Sequence, residues 1–389
     1  MKKEMFDTEI TLLRDTFRRL LRRHANSNII KLIGKTHPAD MALIYRYFND
    51  DEQNTIFAMM PPSEESVEFL SELDESITVR LLDQVTPQRM ATILEEASSN
   101  EIAHLMGLVN EDYATAVIDL LQAEEQEKLE EIMAYPEDSA GILMYTDVFT
   151  LHEETKAIDA IAALQDQEEA EMVFYLYAVD TDGRLTGVVS LRNLVTTSSD
   201  TTLENIMSRR VHSVRPETDQ EEVARIVSQY NFLAVPVVDA EDQLLGIITV
   251  DDVVDIVREE ATEDFLQMVG AGKDREILLK SSWDNARMRF PWLFASWVGG
   301  ILAAFIIGAF DNILQSTIVL AAFIPVIIGM GGNIGTQSST IIVRGLATGR
   351  VGLENSVKIL LKEMRVGLIL GILYGILLGV FAIFRFLDV

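Results

Sequence analysis

Residues 291–310, PWLFASWVGGILAAFIIGAF, run twenty positions without a charge. At about 1.5 Å rise per residue, a helix of that length is about 30 Å long, the thickness of a bilayer's hydrocarbon core. The stretch is therefore expected to span a membrane. A second apolar run, 316–343, passes through IVLAAFIPVIIGM, enters the polar segment GGNIGTQSST and meets no charge until Arg344. A third, 366–385, is uncharged from Val366 to Phe384 and sets Gly367, Gly371, Gly375 and Gly379 at four-residue spacing, a stripe that lets another helix approach closely. Three such runs exceed what a soluble core supplies, so 291–389 reads as an α-helical transmembrane domain.

Basic residues orient it. Lys273, Arg275, Lys280, Arg287 and Arg289 precede the first span. Arg344, Arg350, Lys358, Lys362 and Arg365 separate the second from the third, while the connection through Asp311, Asn312 and Gln315 has none. Both basic flanks are expected in the cytosol, with the amino-terminal part, which makes this a multi-pass protein of the cytoplasmic membrane in contact with its lipid. The start, MKKEMFDTEITLLRDTFRRLLRRH, is amphipathic and charged, without the apolar centre of a signal peptide.

Up to residue 270 the chain carries 54 acidic and 21 basic residues, a net of −33 within a total of −29. That excess argues against nucleic acid as a partner and favours cations. There is no cysteine, and the five histidines (His24, His37, His104, His152, His212) form no pair at ligand spacing, so zinc and iron sites are not expected.

Residues 1–134 read as an acidic all-α superhelical domain. Ile10, Leu13, Phe17, Leu20 and Leu21 make one helical face, and later helix starts are marked by Pro38 to Asp40, by Pro61-Pro62-Ser63 and by Thr86-Pro87. The arginines of the first helix (Arg14, Arg18, Arg19, Arg22, Arg23) are expected to pair with the domain's own acids.

Beyond Tyr135 the chain repeats itself. LYAVDTDGRLTGVVSLRNLV (176–195) aligns at a spacing of 59 with VPVVDAEDQLLGIITVDDVV (235–254), and VFTLHEETKAIDAIAAL corresponds to VHSVRPETDQEEVARIV upstream. Each copy reads as strand, helix, two strands and a helix start. The pattern resembles a tandem pair of cystathionine-β-synthase-type (CBS) domains, here 135–200 and 201–262, regulatory modules that bind adenine nucleotides or metal ions.

The second copy runs into DDVVDIVREEATEDFLQMVGAG, where Asp252, Asp255, Glu259, Glu260, Glu263 and Asp264 recur at spacings of three and four. Carboxylates sharing a helical face repel one another unless a cation sits between them, and an oxygen-only cluster suits a hard ion such as Mg²⁺ or Ca²⁺. In the second span Pro325 is expected to break the helix ladder. Gly331, Gly332, Asn333, Thr336 and Gln337 are expected to line a path for an ion that keeps its inner waters, as Mg²⁺ does.

The order of modules, with YPEDSAGILM at 135–144, the CBS pair, a connecting segment over 263–290, FPWL and IPVIIGMGGNIGTQSSTIIVRGLATG at 324–349, resembles the MgtE family of magnesium channels and transporters over essentially the whole chain. The resemblance implies a homodimer with its pore on the two-fold axis. It implies that the helix from about Asp274 to Arg289 acts as a plug, and that cytosolic Mg²⁺ bridging acidic interfaces closes the pore. The regulatory ligands it implies are Glu101, Asp219, Glu221, Asp252, Asp255, Glu260, Glu263 and Asp264. ATP in the CBS groove would meet Tyr175, Arg192 and Phe232, with Asn193 where an acidic ribose partner is expected. Family members have five spanning helices, with an acidic residue in the last; three stand in this sequence, apparently lacking the last two. Other divalent cations, Mn²⁺, Co²⁺ and Ni²⁺, are alternative cargo. A non-conducting, membrane-anchored CBS sensor of divalent cations or adenine nucleotides is the alternative function. An enzyme is not expected, because the soluble part shows no nucleophile with a base and no phosphate-cradling loop.

Overall fold

A short amphipathic helix cannot bury its apolar face alone, so a run of them must stack. In a computed structural model that describes residues 2–136, 138–166, 175–268, 281–316, 318–347 and 356–386, the first ten helices do so. Pro38–Tyr45 packs on Glu64–Ser71, that helix on Pro87–Leu94, and that one on Glu111–Ile118, each on the helix two further along. The result is the expected superhelical domain, with Phe17, Ile29, Tyr45, Phe57, Phe69, Leu82 and Met90 in its core. Tyr45 donates to the Gln53 carbonyl at 2.8 Å while Gln53 Nε2 donates to the Tyr45 carbonyl at 3.0 Å, so two buried polar side chains satisfy each other's backbones. Thr86 and Ser63 stand at helix starts, yet neither makes a side-chain cap bond. Asn49 with Glu52 and Ser98 with Glu101 form capping boxes instead. Of the first-helix arginines, Arg14 pairs with Asp15, and Arg18 donates to the Tyr47 carbonyl.

The two CBS copies each supply a β-hairpin. Strand β1 (Thr150–His152) lies parallel to β2 (Tyr175–Val179), which is antiparallel to β3 (Leu185–Ser190); β4 (Ala234–Val238) pairs antiparallel with β5 (Leu244–Thr249). The hairpins coincide at the spacing of 59, down to the bulge after Ala178 and after Val237. Upstream the spacing is 63: Leu151 pairs with Ala178 and Val214 bridges Val237, so the counterpart of β1 is a single bridge four residues late. The turns are built alike. Asp180 accepts from the Asp182 and Arg184 amides, and Asp239 from those of Glu241 and Gln243. Each turn needs one left-handed residue, Gly183 at φ 79° and Asp242 at φ 65°. The two turns bridge each other at Arg184 and Gln243, which sets the copies about a local two-fold relation.

Helix Val250–Met268 leaves β5 and is fixed at its start by Asp252. Its Oδ2 accepts the Thr249 amide at 3.0 Å and the Thr249 hydroxyl, and its Oδ1 accepts the Tyr145 hydroxyl at 3.2 Å. Asp252, expected as a metal ligand, thus has both oxygens engaged in ending β5 and starting a helix. Burial holds its carboxyl above the usual range, against the pull of those three donors.

The chain divides inside that helix into two units, Met1–Val257 and Arg258–Val389. The second contains three long helices: Ser282–Gly308, Ile324–Ala347 and Ser356–Phe386. Ser282–Gly308 and Val357–Phe384 are long and apolar enough to cross a membrane by length and composition. The first continues through Pro291, so the boundary expected at 290/291 falls within one helix, while 269–280, part of the expected plug segment, and 348–355, with Arg350, lie outside the described residues. The expected 316–343 span is instead a 3₁₀ turn, Ile318–Phe323, followed by helix Ile324–Ala347. Pro325 does not break it: it sits in the first turn, where an amide has no intrahelical partner to lose.

Three substitutions test this framework. A Cβ on Gly246 would lie 2.7 Å from the Tyr145 carbonyl oxygen, whereas one on Gly187 meets only the flexible Met207 side chain. Gly246→Ala should cost about 1–3 kcal/mol in urea unfolding, and Gly187→Ala clearly less. Because the Asp252 carboxyl is held high in the folded chain, the native state binds its proton more tightly than the unfolded state. Stability from this group is present below the ordinary Asp value of about 3.9 and lost as pH rises through the folded value. Asp252→Asn should flatten that loss in pH-dependent melts.

Candidate functional site

In helix Ile324–Ala347 the whole segment GMGGNIGTQSST is helical, so its glycines leave every backbone amide paired while exposing the rod. Asn333, Gln337 and Thr340, at positions i, i+4 and i+7, form one polar stripe with Thr336 beside it; all are exposed. Gly331 and Gly332 lie one or two residues before it, and a Cβ at either would meet nothing within 4 Å among the described atoms. The neighbouring face is taken by Ser356–Phe386, where a Cβ on Gly367 would lie 3.9 Å from Ile334 Cγ2. Gly371, Gly375 and Gly379 face no described neighbour at that range. The five residues expected to line a path therefore share one helix, and its amides and hydroxyls offer neutral oxygen acceptors with no carboxylate among them.

At the amino end of Ser282–Gly308, Phe290, Phe294 and Trp297 stack in sequence at 5.8 and 5.6 Å, with Trp283 and Trp292 also exposed. Aromatics among Arg287 and Arg289 are what a membrane–water boundary favours.

In the first unit a cavity of about 190 Å³ opens between the CBS copies. Tyr175, Tyr177, Val188, Ser190 and Asn193 line it from one copy; Ser208, Arg210, His212, Phe232, Ala234 and Pro236 complete it. Among the described residues no carboxylate lines it, and Arg210 gives the lining a positive charge beside the His212 ring. His212 stacks on Tyr230 at 4.3 Å, and both lie near Phe232, giving an aromatic shelf. The Tyr177 hydroxyl is buried without a hydrogen-bond partner, and burial pushes its pKa up. Of the expected nucleotide residues, Tyr175 and Phe232 line this cavity; Arg192 does not, although Asn193 next to it does. Tyr177, Arg210 and His212 were not anticipated. The repeat carried a signal for part of this, since Tyr175 with Ala234 and Tyr177 with Pro236 are equivalent positions at the spacing of 59.

The expected regulatory acids lie apart. Glu101 accepts the Ser98 amide at 2.9 Å and its hydroxyl at 2.5 Å as a capping group. Asp219 caps Gln220–Tyr230 by accepting the Glu221 amide at 2.8 Å. Asp255 is exposed three residues beyond Asp252 on the same helix. Glu260, Glu263 and Asp264 follow on the later turns, with Glu263 accepting from Gln267 at 2.6 Å. Burial, then the neighbouring Glu263, raises the Asp264 carboxyl. Among the described residues no three acidic or histidine side chains converge as a metal-holding group.

Comparison with known proteins matches these parts in turn. The MgtE intracellular N domain matches residues 36–138, CBS domains match 140–200 and 203–259, and the divalent cation transporter family MgtE matches 324–388. The magnesium transporter MgtE of Thermus thermophilus is 34% identical over 354 residues, 90% of this chain and 78% of its own. That of Bacillus subtilis is 29% identical over 365 residues, 94% of this chain and 80% of its own. The crystallised cytosolic domain of the Mg²⁺ channel MgtE in complex with ATP is 32% identical, with a TM-score of 0.60 over 62% of this chain and 99% of that one. The soluble part of a magnesium transporter gives 28% and 0.59 over 65% of this chain. A helical stack, a CBS pair and a glycine-rich polar helix thus succeed one another along a single chain at this level of identity, and the chain belongs to the MgtE family of magnesium transporters.

Proposed function

We propose that this chain moves Mg²⁺ across the cytoplasmic membrane and that cytosolic Mg²⁺ shuts the path. The observation that carries the reading is the stripe Asn333, Thr336, Gln337 on a helix that holds no charge before Arg344 and stands in the chain between two helices apolar enough to span a bilayer. Polar groups at membrane depth are stable only against protein or water. Neutral amides and hydroxyls can hold the outer face of a hydrated Mg²⁺, which sheds its inner waters reluctantly. A stripe on one helix cannot enclose a path, so a second copy supplies the facing stripe in a homodimer with its pore on the two-fold axis. The transporter names of the relatives, and the presence of the whole module order, support transport over catalysis.

The regulatory half of the reading rests on charge. With 54 acids up to residue 270, the cytosolic part repels itself at low Mg²⁺ and is drawn together when the ion bridges carboxylates. Glu101, Asp219, Glu221, Asp255, Glu260, Glu263 and Asp264 are the bridging set. Asp252 contributes by holding the start of their helix. Mn²⁺, Co²⁺ and Ni²⁺ are further cargo or ligands for the same oxygens.

A second ligand is supported by the CBS cavity, whose described lining holds Arg210 and no carboxylate: an adenine nucleotide, with its base on the aromatic side and its phosphates toward Arg210 and His212. The likeness to a domain crystallised with ATP agrees with it.

Reconstituted in vesicles with an internal Mg²⁺ dye, the chain should take up Mg²⁺, and Asn333→Ala with Gln337→Ala should slow uptake about tenfold, the loss of roughly 1.4 kcal/mol. Sealed vesicles of the unsubstituted chain that admit no Mg²⁺ would sink the transport reading. In calorimetry with ATP, Tyr175→Ala should weaken binding by about tenfold, at the low end of what stacking under a base contributes. Equal affinity would place the nucleotide elsewhere.

A further inference from the structure

Helices Ile324–Ala347 and Ser356–Phe386 run side by side in opposite directions. Ser338 meets Glu363, Ile334 lies opposite Gly367, where an added Cβ would reach it, and Phe323, just before the first helix, meets Phe381 edge to face at 6.4 Å. The Ser338 hydroxyl donates to Glu363 Oε2 at 2.7 Å. Glu363 is the single carboxylate within the described residues 318–347 and 356–386, and it is half-buried.

We infer that Glu363 is a positioning residue for the polar stripe: through Ser338 it fixes the rotation of helix Ile324–Ala347 about its own axis. Ile334 and Ser338 are one turn apart and face Ser356–Phe386. Asn333 and Gln337 each precede one of them by a single residue, which places the stripe about 100° around the helix. Apolar contact has little power to set that angle in lipid, where the acyl chains are as apolar as the side chains they would replace. Gly367 makes the point: it offers Ile334 no side chain to lock against. A hydroxyl–carboxylate bond is short, directional and strengthened by charge. Rolling the helix would break it and leave both the hydroxyl and the carboxyl without this partner, so the bond selects one rotation and with it the direction in which Asn333 and Gln337 point.

That this stripe carries Mg²⁺ rests on the transport reading, but the rotation can be read without transport. The chain has no cysteine, so single cysteines report cleanly. In vesicles of the full chain, the rate at which a water-soluble thiol reagent modifies Gln337→Cys or Ile334→Cys is measured alone and combined with substitutions at the brace. Glu363→Leu and Ser338→Ala should each slow modification at 337 and speed it at 334 by about tenfold, the equivalent of one lost charged hydrogen bond. The two together should do no more than either alone. Glu363→Gln, whose Oε1 still accepts the serine hydroxyl, should stay within about threefold of the unsubstituted chain, since it forgoes only the charge. Unchanged rates in both Glu363→Leu and Ser338→Ala would overturn the inference. So would additive effects, or a Glu363→Gln variant that behaves like Glu363→Leu, because the charge itself would then be the active feature. Ser338→Ala removes one oxygen and leaves the folding risk small. Mg²⁺ uptake by the unsubstituted chain tests the transport reading separately.

Discussion

Hydrocarbon offers a backbone amide nothing to bond with, and the second unit is organised by that fact. A segment as glycine-rich as GMGGNIGTQSST would form a loop in water, since glycine loses more freedom than any other residue when it enters a helix. At membrane depth an open loop leaves several groups unpaired at a few kcal/mol each, which outweighs the glycine cost. The helix therefore persists, and the glycines become places where its rod is bare. Asn333, Gln337 and Thr340 gather along one stripe, which is a form in which a spanning helix can present oxygen atoms to an ion.

The CBS pair follows a different economy of parts. Two near-copies of one hairpin, joined turn to turn at Arg184 and Gln243, build a groove from equivalent positions. The duplication supplies shape, and departures from it supply chemistry: Tyr175 and Tyr177 stand on one side where Ala234 and Pro236 stand on the other. Arg210 and His212 then make the lining basic within a surface that is otherwise strongly acidic. An anion entering it passes from a repelling field into an attracting one, so the groove is selective by contrast as much as by contact.

The acidic residues divide between two uses. Asp180, Asp239, Glu101, Asp219 and Asp252 accept backbone amides at turns and helix starts, where a carboxylate meets unpaired N–H groups and the positive end of a dipole. Asp255 and Glu260 stand farther along helix Val250–Met268, and repulsion among its acids is what the proposed divalent ion would relieve. Spacing groups Asp252 with the acids that follow it; its hydrogen bonds to Thr249 and Tyr145 set it apart.

Periodicity and repetition made the architecture legible in the sequence. Uncharged stretches located the long helices, proline and cap residues marked the starts of the stacked ones, and the spacing of 59 located both hairpins to the residue. These signals are local, or compare the chain with itself, so they survive without knowledge of what packs where. The site was legible only as residue types. That Asn333 and Gln337 share a stripe follows from helix geometry, but the sequence suggested a break at Pro325 because it does not reveal where the helix begins. Arg210 and His212 lie on a connecting segment far from Tyr175 in the chain, and only the docking of the two copies brings them together. Asp252 read as one acid among many until Tyr145, more than a hundred residues earlier, was found on its carboxylate. The sequence by itself determined which elements form, because propensity and hydrophobic period act over a few residues. The tertiary structure alone decided which partners engage the Asp252 oxygens and which residues meet in the CBS cavity, because that depends on groups brought together across long separations.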